Sequence, residues 1–215
     1  MLAQKYNFIT VEGNTGAGKT SLARMLADQY GGKLILEEFV DNPFLPHFYN
    51  NPERYAFHTE VYFMLDRHQQ LSNVIQLQQL QQGFNISDYL FNKSLLYAEV
   101  NLPTDEFKLF ERMFKAIYPK LPQPEFIIYV HATVPRLIRN IQKRGRDFEQ
   151  SVRAAYLQEV EDIYFRYFDQ NPQLRILVIH ADDIDFVEEP QHYEQIVHWV
   201  NQDYTPGIHH VRLKE

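Results

Sequence analysis

The sequence predicts an α/β fold with three layers, in which helices cover both faces of a mostly parallel sheet of about five strands. Short apolar runs rich in β-branched and aromatic residues alternate with longer segments of helical periodicity. The order strand, helix, strand at the start of the chain favours parallel pairing. Since no repeat and no linker divides the 215 residues, we expect a single domain spanning residues 1–215.

The predicted strands are short apolar runs bounded by glycine, proline or polar residues. Gly13 ends the first of them, and Pro122 and Pro124 precede the clearest one, the run Phe-Ile-Ile-Tyr-Val. By this criterion the five strands lie at residues 6–12, 33–37, 84–88, 126–130 and 175–179.

The predicted helices have apolar residues at helical spacing and recognisable ends. Gly31 and Gly32 are typical of a helix end, and Pro135 is typical of a helix start. The expected helices lie at residues 21–30, 53–82, 91–100, 105–118, 135–143, 151–168 and 193–201.

Three segments need separate interpretation. Residues 53–82 contain neither glycine nor proline, which predicts one long helix or two nearly continuous ones. The second half of that stretch is rich in glutamine but keeps an apolar face, as a partly solvated helix does. Residues 41–52 are predicted to be a loop, and residues 203–215 a peripheral tail.

The composition excludes several classes of function. With 28 acidic against 21 basic side chains the net charge is −7, which argues against a nucleic acid polymer as partner. The absence of cysteine excludes disulfides and metal–thiolate sites, and the nine histidines lack zinc-binding spacing. No signal peptide and no stretch of membrane-spanning length is present, so we expect a cytoplasmic protein without membrane contact.

The segment Gly13-Asn-Thr-Gly-Ala-Gly-Lys-Thr20 matches the phosphate-binding P-loop at every fixed position, between a predicted strand and a predicted helix. Its glycines let backbone N–H groups surround phosphate oxygens, and the following helix N-terminus adds partial positive charge. Lys19 is expected to reach the β- and γ-phosphates of ATP. The predicted ATP-binding residues are Gly13, Asn14, Thr15, Gly16, Ala17, Gly18, Lys19, Thr20 and Ser21.

A magnesium site is predicted next to this loop. The Thr20 hydroxyl is one expected ligand of Mg²⁺. Asp88 closes the third predicted strand and is the expected acidic anchor, a position that also suits a helix N-cap.

Three further segments extend the pattern to about residue 168. They are Leu36-Glu-Glu-Phe-Val40, Tyr49-Asn-Asn-Pro-Glu-Arg-Tyr-Ala-Phe57 and Arg139-Asn-Ile-Gln-Lys-Arg-Gly-Arg-Asp-Phe-Glu149. With the P-loop, the chain resembles the deoxynucleoside kinase family, the group of deoxycytidine, deoxyguanosine and deoxyadenosine kinases. The resemblance implies that Glu38 takes the proton from the nucleoside 5′-hydroxyl, although the family's proline is Phe39 here. Glu37 is expected to be a capping or surface residue.

The resemblance also implies the nucleoside-binding residues. Tyr49 and Glu149 correspond to the residues that hold the sugar 3′-hydroxyl. Glu60 stands where the family has a base-recognising glutamine, and Arg67 lies on the same helical face. An ionised Glu60 offers only acceptors, which would suit guanine, with Arg67 facing the guanine carbonyl and keeping Glu60 ionised. Two alternatives remain open: Arg67 pairs with Glu60 and leaves neither free, or a protonated Glu60 behaves like the glutamine.

The third segment strongly resembles the family's lid, expected at about residues 139–150. Its arginines, Arg139, Arg144 and Arg146, could neutralise the transferring phosphoryl group. The sequence Asp88-Tyr89-Leu90 departs from the family, which has an arginine where this chain has Tyr89. The lid arginines could replace it; otherwise activity is weak or the acceptor differs.

These observations predict an ATP- and Mg²⁺-dependent deoxynucleoside kinase that phosphorylates the 5′-hydroxyl, with preference for a purine. A nucleoside monophosphate kinase of the thymidylate type and a non-catalytic nucleotide-binding subunit are the alternatives. Family analogy also implies a homodimer formed through long helices.

Overall fold

The computed structural model of the protein describes residues 1–37, 42–76 and 83–213. Six strands form one sheet in the order β2-β3-β1-β4-β5-β6, and every neighbouring pair is parallel. The strands are β1 (Phe8–Gly13), β2 (Lys33–Ile35), β3 (Asn85–Ser87), β4 (Phe126–His131), β5 (Arg175–His180) and β6 (Gly207–Val211). The predicted fold class is confirmed.

Strand β6 is the one that the sequence does not predict. It lies in the segment 203–215, which was expected to be a peripheral tail, and it extends the sheet at the edge by pairing with β5. Its side chains are half-buried or exposed, so it lacks the continuous apolar run that marks β1 and β4. An edge strand of this kind gives a weak sequence signal.

Seven helices lie close to the predicted positions, whereas α1 and α3 were not predicted: α3 falls within residues 42–52, where the prediction of a loop is wrong because Pro46 stands in the first turn of a short helix. Their bounds are α1 (Leu2–Lys5), α2 (Lys19–Tyr30), α3 (Leu45–Phe48), α4 (Pro52–Gln76), α5 (Lys93–Asn101), α6 (Thr104–Ile117), α7 (Val134–Arg144), α8 (Ala154–Gln170) and α9 (Pro190–Val200). The predicted glutamine-rich half of the long helix falls mostly on residues 77–82, outside the described residues. No described helix has both the length and the apolar character that crossing a membrane requires.

The two faces of the sheet pack against different helices. In β4, Ile128 belongs to the core shared with α2, α7 and α9, whereas Ile127 and Tyr129 belong to the core shared with α5 and α8. This alternation follows from the two-residue period of a strand. A third apolar cluster joins α3, α4, α5 and α6. Because both faces are covered, a ligand can reach the sheet only at the carboxyl ends of its strands.

Candidate active site

One cavity of about 910 Å³ opens at the carboxyl ends of the strands. Its walls come from the loop after β1, the strand ends of β2 to β5, and the helices α4, α5, α7 and α8. We call this cavity the pocket. Of the predicted site residues that the structure describes, all except Gly13 and Asn14 line it: residues 15–21, Tyr49, Glu60, Arg67, Asp88, Arg139, Arg144, Arg146 and Glu149.

The P-loop is fixed by close contacts that only glycine permits. A Cβ at Gly13, where φ is 152°, would lie 2.5 Å from the carbonyl oxygen of Val130. A Cβ at Gly16, where φ is 84°, would lie 2.9 Å from the carbonyl oxygen of Leu137. The carbonyl of Gly16 also accepts a 2.8 Å hydrogen bond from Asn140 of α7. The loop is therefore held between β4 and the predicted lid helix.

Asn14 faces away from the pocket. Its side-chain amide donates to the carbonyl of Leu157 at 2.7 Å, and its side-chain oxygen accepts from the Thr15 N–H at 2.8 Å. Its backbone carbonyl accepts a hydrogen bond from Lys19 Nζ at 3.0 Å. Asn14 thus shapes the loop from behind, while residues 15–21 face the pocket.

Lys19 lies at the start of α2 in a mixed electrostatic environment. Burial and the neighbouring Lys93 lower the pKa of Lys19 to about 8, against the opposing effect of Glu12, Glu37 and Asp88. A phosphate group placed beside Lys19 would favour its charged form. The site is therefore suited to a bound anion.

Thr20 and Asp88 meet as the sequence predicts. The Thr20 hydroxyl donates to Oδ2 of Asp88 at 2.5 Å, and Oδ1 of Asp88 accepts from the Glu37 N–H at 2.7 Å. The described residues contain no cluster of three or more acidic or histidine side chains suited to a metal. Mg²⁺ in phosphoryl-transfer sites uses one or two protein oxygens with water and phosphate oxygens, so this hydroxyl–carboxylate pair fits it.

Glu37 forms the most strongly charged contacts of the pocket. Its Oε1 accepts from Nε and Nη2 of Arg67 at 2.9 and 2.5 Å, and its Oε2 accepts from Nζ of Lys93 at 2.7 Å. Although burial alone would raise the pKa of Glu37, Lys93 and Arg67 hold it well below its ordinary value. The expectation that Glu37 is a capping or surface residue is wrong, because the end of β2 directs this side chain into the pocket.

The predicted base, Glu38, lies outside the described residues, and its role stays a prediction. Sequence reasoning missed several charged residues at the site, among them Glu12, which is buried beside the P-loop, and Lys93, which lines the pocket. Glu12 is fully buried at the end of β1 and accepts from the N–H groups of Gly13 and Leu90 at 2.9 and 2.8 Å. Lys93 is buried at the start of α5. A charged residue inside an otherwise apolar strand, as Glu12 is, was the available signal for the first.

Tyr89, which replaces the family arginine, is part of the core. It is 1% exposed, and its hydroxyl donates to Oε1 of Gln70 at 2.9 Å. Two cations, Arg67 and Lys93, pair with the Glu37 carboxylate at this end of the site, and Lys93 lies four residues after Tyr89. The predicted lid arginines are not the residues that pair with Glu37.

The lid residues surround Glu149. This carboxylate is 5% exposed, accepts a hydrogen bond from Nη2 of Arg144, and pairs with Nη1 of Arg146 at 3.1 Å. Phe148 stacks on the ring of Tyr49, with 6.1 Å between ring centroids. Burial, with the nearby Glu149, raises the pKa of Tyr49 above its ordinary value. The structure thus brings Tyr49, Glu149 and two lid arginines to one side of the pocket.

Glu60 and Arg67 have different hydrogen-bond partners. Arg67 is fully engaged with Glu37 and with Ser94, whose hydroxyl accepts from Nη1 at 2.7 Å. Glu60 Oε1 instead accepts from Nδ2 of Asn101 at 2.7 Å. Burial raises the pKa of Glu60 to about 7, against the effects of Asn101 and Arg67. The alternative in which Arg67 pairs with Glu60 is therefore wrong, whereas Arg67 still acts to lower the pKa of Glu60, and the ionised state of Glu60 stays a prediction.

Comparison with known families agrees with this geometry. Residues 9–204 match the family described as deoxynucleoside kinase. The deoxyguanosine kinase of Bacillus subtilis (strain 168) is 34% identical over 200 residues, which cover 91% of this chain and 96% of that protein. The deoxyadenosine/deoxycytidine kinase of the same organism is 26% identical over 90% of this chain and 91% of its own length.

A solved structure has the same fold. It is the deoxyadenosine kinase from M. mycoides with bound dCTP, with a TM-score of 0.76 and 22% sequence identity. The match covers 90% of this chain and 98% of that one.

Proposed function

The chain belongs to the deoxynucleoside kinase family, and from that membership we propose that it transfers the γ-phosphate of ATP, with Mg²⁺, to the 5′-hydroxyl of a deoxynucleoside, preferably a purine one. The relatives that support this proposal include both a deoxyguanosine kinase and a deoxyadenosine/deoxycytidine kinase. Transfer of phosphate to a deoxynucleoside is the common element of their names. For the phosphate donor, the metal ion and the preferred base, the proposal depends on the residues of this chain.

One observation carries the proposal: a single pocket extends from the P-loop to the predicted nucleoside-binding residues. Lys19 and Thr20, the expected phosphate-binding residues, line it together with Tyr49, Glu60 and Glu149, the expected nucleoside-binding residues. A donor and an acceptor bound in one enclosed cavity can be aligned for direct, in-line transfer, in which positioning provides most of the catalysis.

The phosphate side holds the donor. The N–H groups of the P-loop and Lys19 would bind the β- and γ-phosphates of ATP. Thr20 and Asp88 would hold Mg²⁺, which neutralises charge on the phosphate oxygens when it is bound. Arg139, Arg144 and Arg146 line the pocket on the lid side and would stabilise the charge that spreads over the transferring group.

The acceptor side needs a group that orients and deprotonates the 5′-hydroxyl. Glu38 is the predicted base. Glu37 is the described carboxylate that faces the pocket at the same strand end, and its two cationic partners fix its position. We therefore treat Glu37 as the second candidate for this role. A carboxylate held in one orientation can accept the proton of a correctly placed hydroxyl.

The experiment that tests the proposal is a panel of acceptors assayed with ATP and Mg²⁺. Deoxyguanosine, deoxyadenosine, deoxycytidine, thymidine and their 5′-monophosphates are compared by formation of ADP and of the phosphorylated product. We expect deoxynucleosides to be phosphorylated and monophosphates not, with the purines favoured. Turnover of monophosphates alone would identify a monophosphate kinase. Binding of ATP without acceptor-dependent turnover would identify a non-catalytic subunit.

Location and assembly are also proposed rather than observed. We expect a cytoplasmic homodimer. Leu65 on α4 and Leu109 on α6 are 53% and 47% exposed, and apolar side chains on packed helices are suited to a contact between copies. Sedimentation equilibrium of the purified protein tests the dimer, and a monomer at all concentrations would contradict it.

A further inference from the structure

The residues behind Glu60 point to a mechanism of base specificity that the family resemblance does not imply. Glu60 is 3% exposed and lines the pocket, whereas Asn101, at the end of α5, lies behind it. Asn101 Nδ2 donates to Oε1 of Glu60 at 2.7 Å and lies 3.3 Å from the hydroxyl of Tyr156. Asn101 is therefore a positioning residue for the Glu60 carboxyl group.

We propose that Asn101 directs any proton on Glu60 to Oε2. As a result, Glu60 recognises only guanine when it is ionised and also recognises adenine or cytosine when it is protonated. This inference rests on the proposed function and specifies which bases that site takes. It concerns hydrogen-bond complementarity alone, because no bond to the base is made or broken.

The ionised form has acceptors on both oxygens. Guanine presents a ring N–H and an exocyclic amino group side by side, and both can donate to the two oxygens. Adenine presents an amino donor beside a bare ring nitrogen, and cytosine does the same. With either of them one oxygen of an ionised Glu60 would face a second acceptor, which leaves a buried charge without a donor.

The protonated form has one donor and one acceptor, and Asn101 decides their arrangement. Because Oε1 already accepts from Asn101, Oε2 is the atom that carries the proton. The Oε2 hydroxyl can donate to the bare ring nitrogen of adenine or cytosine while Oε1 accepts from the amino group. Guanine remains acceptable to this form, since its carbonyl can accept and its ring N–H can donate.

The surrounding charges allow Glu60 to change its protonation near neutral pH. From α4 the guanidinium of Arg67 faces it, and from α5 the ammonium of Lys93, but both cations are paired with Glu37 at the end of β2. The hydroxyls of Tyr49 and of Tyr156 on α8 also face Glu60 and stay neutral, because burial raises the pKa of both. Burial raises the pKa of Glu60 itself to about 7.

An unsatisfied polar atom lies in the same part of the pocket. Thr59 is 1% exposed and lines the pocket one residue before Glu60. Among the described residues its hydroxyl has no hydrogen-bond partner. A buried hydroxyl and a buried carboxyl group that face one cavity are what a base with several polar edge atoms requires.

The test compares kcat/KM for deoxyguanosine and deoxyadenosine from about pH 6 to about pH 8.5, a range that brackets the Glu60 pKa of about 7. Lys19 and the catalytic base act equally on both substrates, so the effect of their titration on kcat/KM cancels in the ratio of the two values. We expect the ratio to rise by about tenfold to a hundredfold as pH increases, because a buried mismatched acceptor has a cost of that size. Its midpoint should lie near the pKa of Glu60, at about 7.

Three variants separate this mechanism from a structural effect. Glu60→Gln should make the ratio independent of pH. Asn101→Leu removes the donor that favours the ionised form, so the midpoint should move to higher pH. Glu161→Gln is the matched control: this carboxylate pairs with His131, does not line the pocket, and its variant should keep the wild-type profile.

A ratio that stays constant with pH in the wild type would overturn the inference while leaving the kinase function intact, as would an unshifted midpoint in Asn101→Leu. If no deoxynucleoside is phosphorylated, the proposed function fails separately. The affinities of the two nucleosides are then measured by calorimetry at both ends of the pH range. A ratio of affinities that stays constant with pH again overturns the inference.

Discussion

Nζ of Lys93 lies 2.7 Å from Oε2 of Glu37, and both side chains line the pocket beside the P-loop. The pair joins the start of α5 to the end of β2, 56 residues apart in sequence. Lys93 also faces Glu12 and Lys19, so one buried ammonium group acts on the pKa of Glu12, Lys19 and Glu37. It provides positive charge in a site where Tyr89 replaces the arginine of the family.

The first prediction concerns this pair. Lys93→Met should lower kcat more than it raises KM, because Glu37 loses one of its two fixed partners. We expect the free energy of unfolding to fall by up to about 3 kcal/mol, since Arg67 still compensates the buried carboxylate. Steady-state kinetics and urea unfolding measure the two effects. Lys93→Arg should recover part of kcat, and Lys115→Met, an exposed lysine on α6, should change neither quantity.

The same variant has a defined dependence on pH. The pKa of Glu37 is depressed in the folded protein, so its stabilising contribution is present above the unfolded value and is lost as pH falls toward the folded one. The stability difference between wild type and Lys93→Met should therefore narrow below about pH 4. A difference that grows in acid would contradict the pairing.

The second prediction tests the phosphate site. Lys19→Ala should abolish phosphoryl transfer and leave the circular dichroism spectrum unchanged, because the lysine acts on phosphates and its side chain contributes one hydrogen bond to the loop, to the carbonyl of Asn14. Lys33→Ala, an exposed lysine at the start of β2, is the control and should retain full activity. Near-normal turnover of Lys19→Ala would show that ATP is not bound by residues 13–21.

The third prediction distinguishes the two adjacent glutamates. Loss of a general base lowers turnover by a factor of about a hundred to ten thousand. Glu38→Gln should show that loss with nearly unchanged nucleoside binding if the sequence-based assignment holds. Glu37→Gln should show it instead if the carboxylate paired with Lys93 and Arg67 is the base. Glu99→Gln, on the exposed surface of α5, should retain normal turnover. Normal turnover in both Glu37→Gln and Glu38→Gln would move the base role to another group.

The sequence predicts those features of the site whose residues lie close together in the chain or next to a strand or helix end. The P-loop is contiguous, and its glycines and lysine have one geometric explanation, so its place after β1 follows from the chain itself. Thr20 and Asp88 are also predictable, since Thr20 follows the P-loop lysine in the first turn of α2 and Asp88 directly follows β3. These features needed no knowledge of tertiary packing.

The remaining charged contacts depend on packing between distant elements. Lys93 and Asn101 lie at the two ends of α5, where a lysine and an asparagine ordinarily indicate a solvated helix. They reach Glu37 and Glu60 because α5 packs against α4 and the end of β2 lies beside both helices. Arg67 of α4 pairs with Glu37 at the end of β2 and not with Glu60, which lies seven residues before it on the same helix. Helical spacing predicted a shared face correctly, but it could not predict the partner.

The last prediction concerns recognition of the sugar. Tyr49 stacks on Phe148, and Glu149 next to it is held by Arg144 and Arg146, so the two predicted hydroxyl-binding groups lie together under the lid. Tyr49→Phe keeps the ring and its stacking but removes the hydroxyl. We expect kcat/KM for 2′-deoxynucleosides to fall by about tenfold, the cost of one buried hydrogen bond.

The matched substrates make this test specific. A 2′,3′-dideoxynucleoside lacks the 3′-hydroxyl, so Tyr49→Phe should leave its kcat/KM unchanged. Glu149→Gln should also lower kcat/KM more for the 2′-deoxynucleoside than for the dideoxynucleoside. It should in addition lower kcat/KM for both substrates, because the lid arginines lose their charged partner. Tyr55→Phe, a tyrosine on α4 that stacks on His47 and does not line the pocket, is the control. Equal losses of Tyr49→Phe on both substrates would mean that Tyr49 shapes the pocket without binding the sugar.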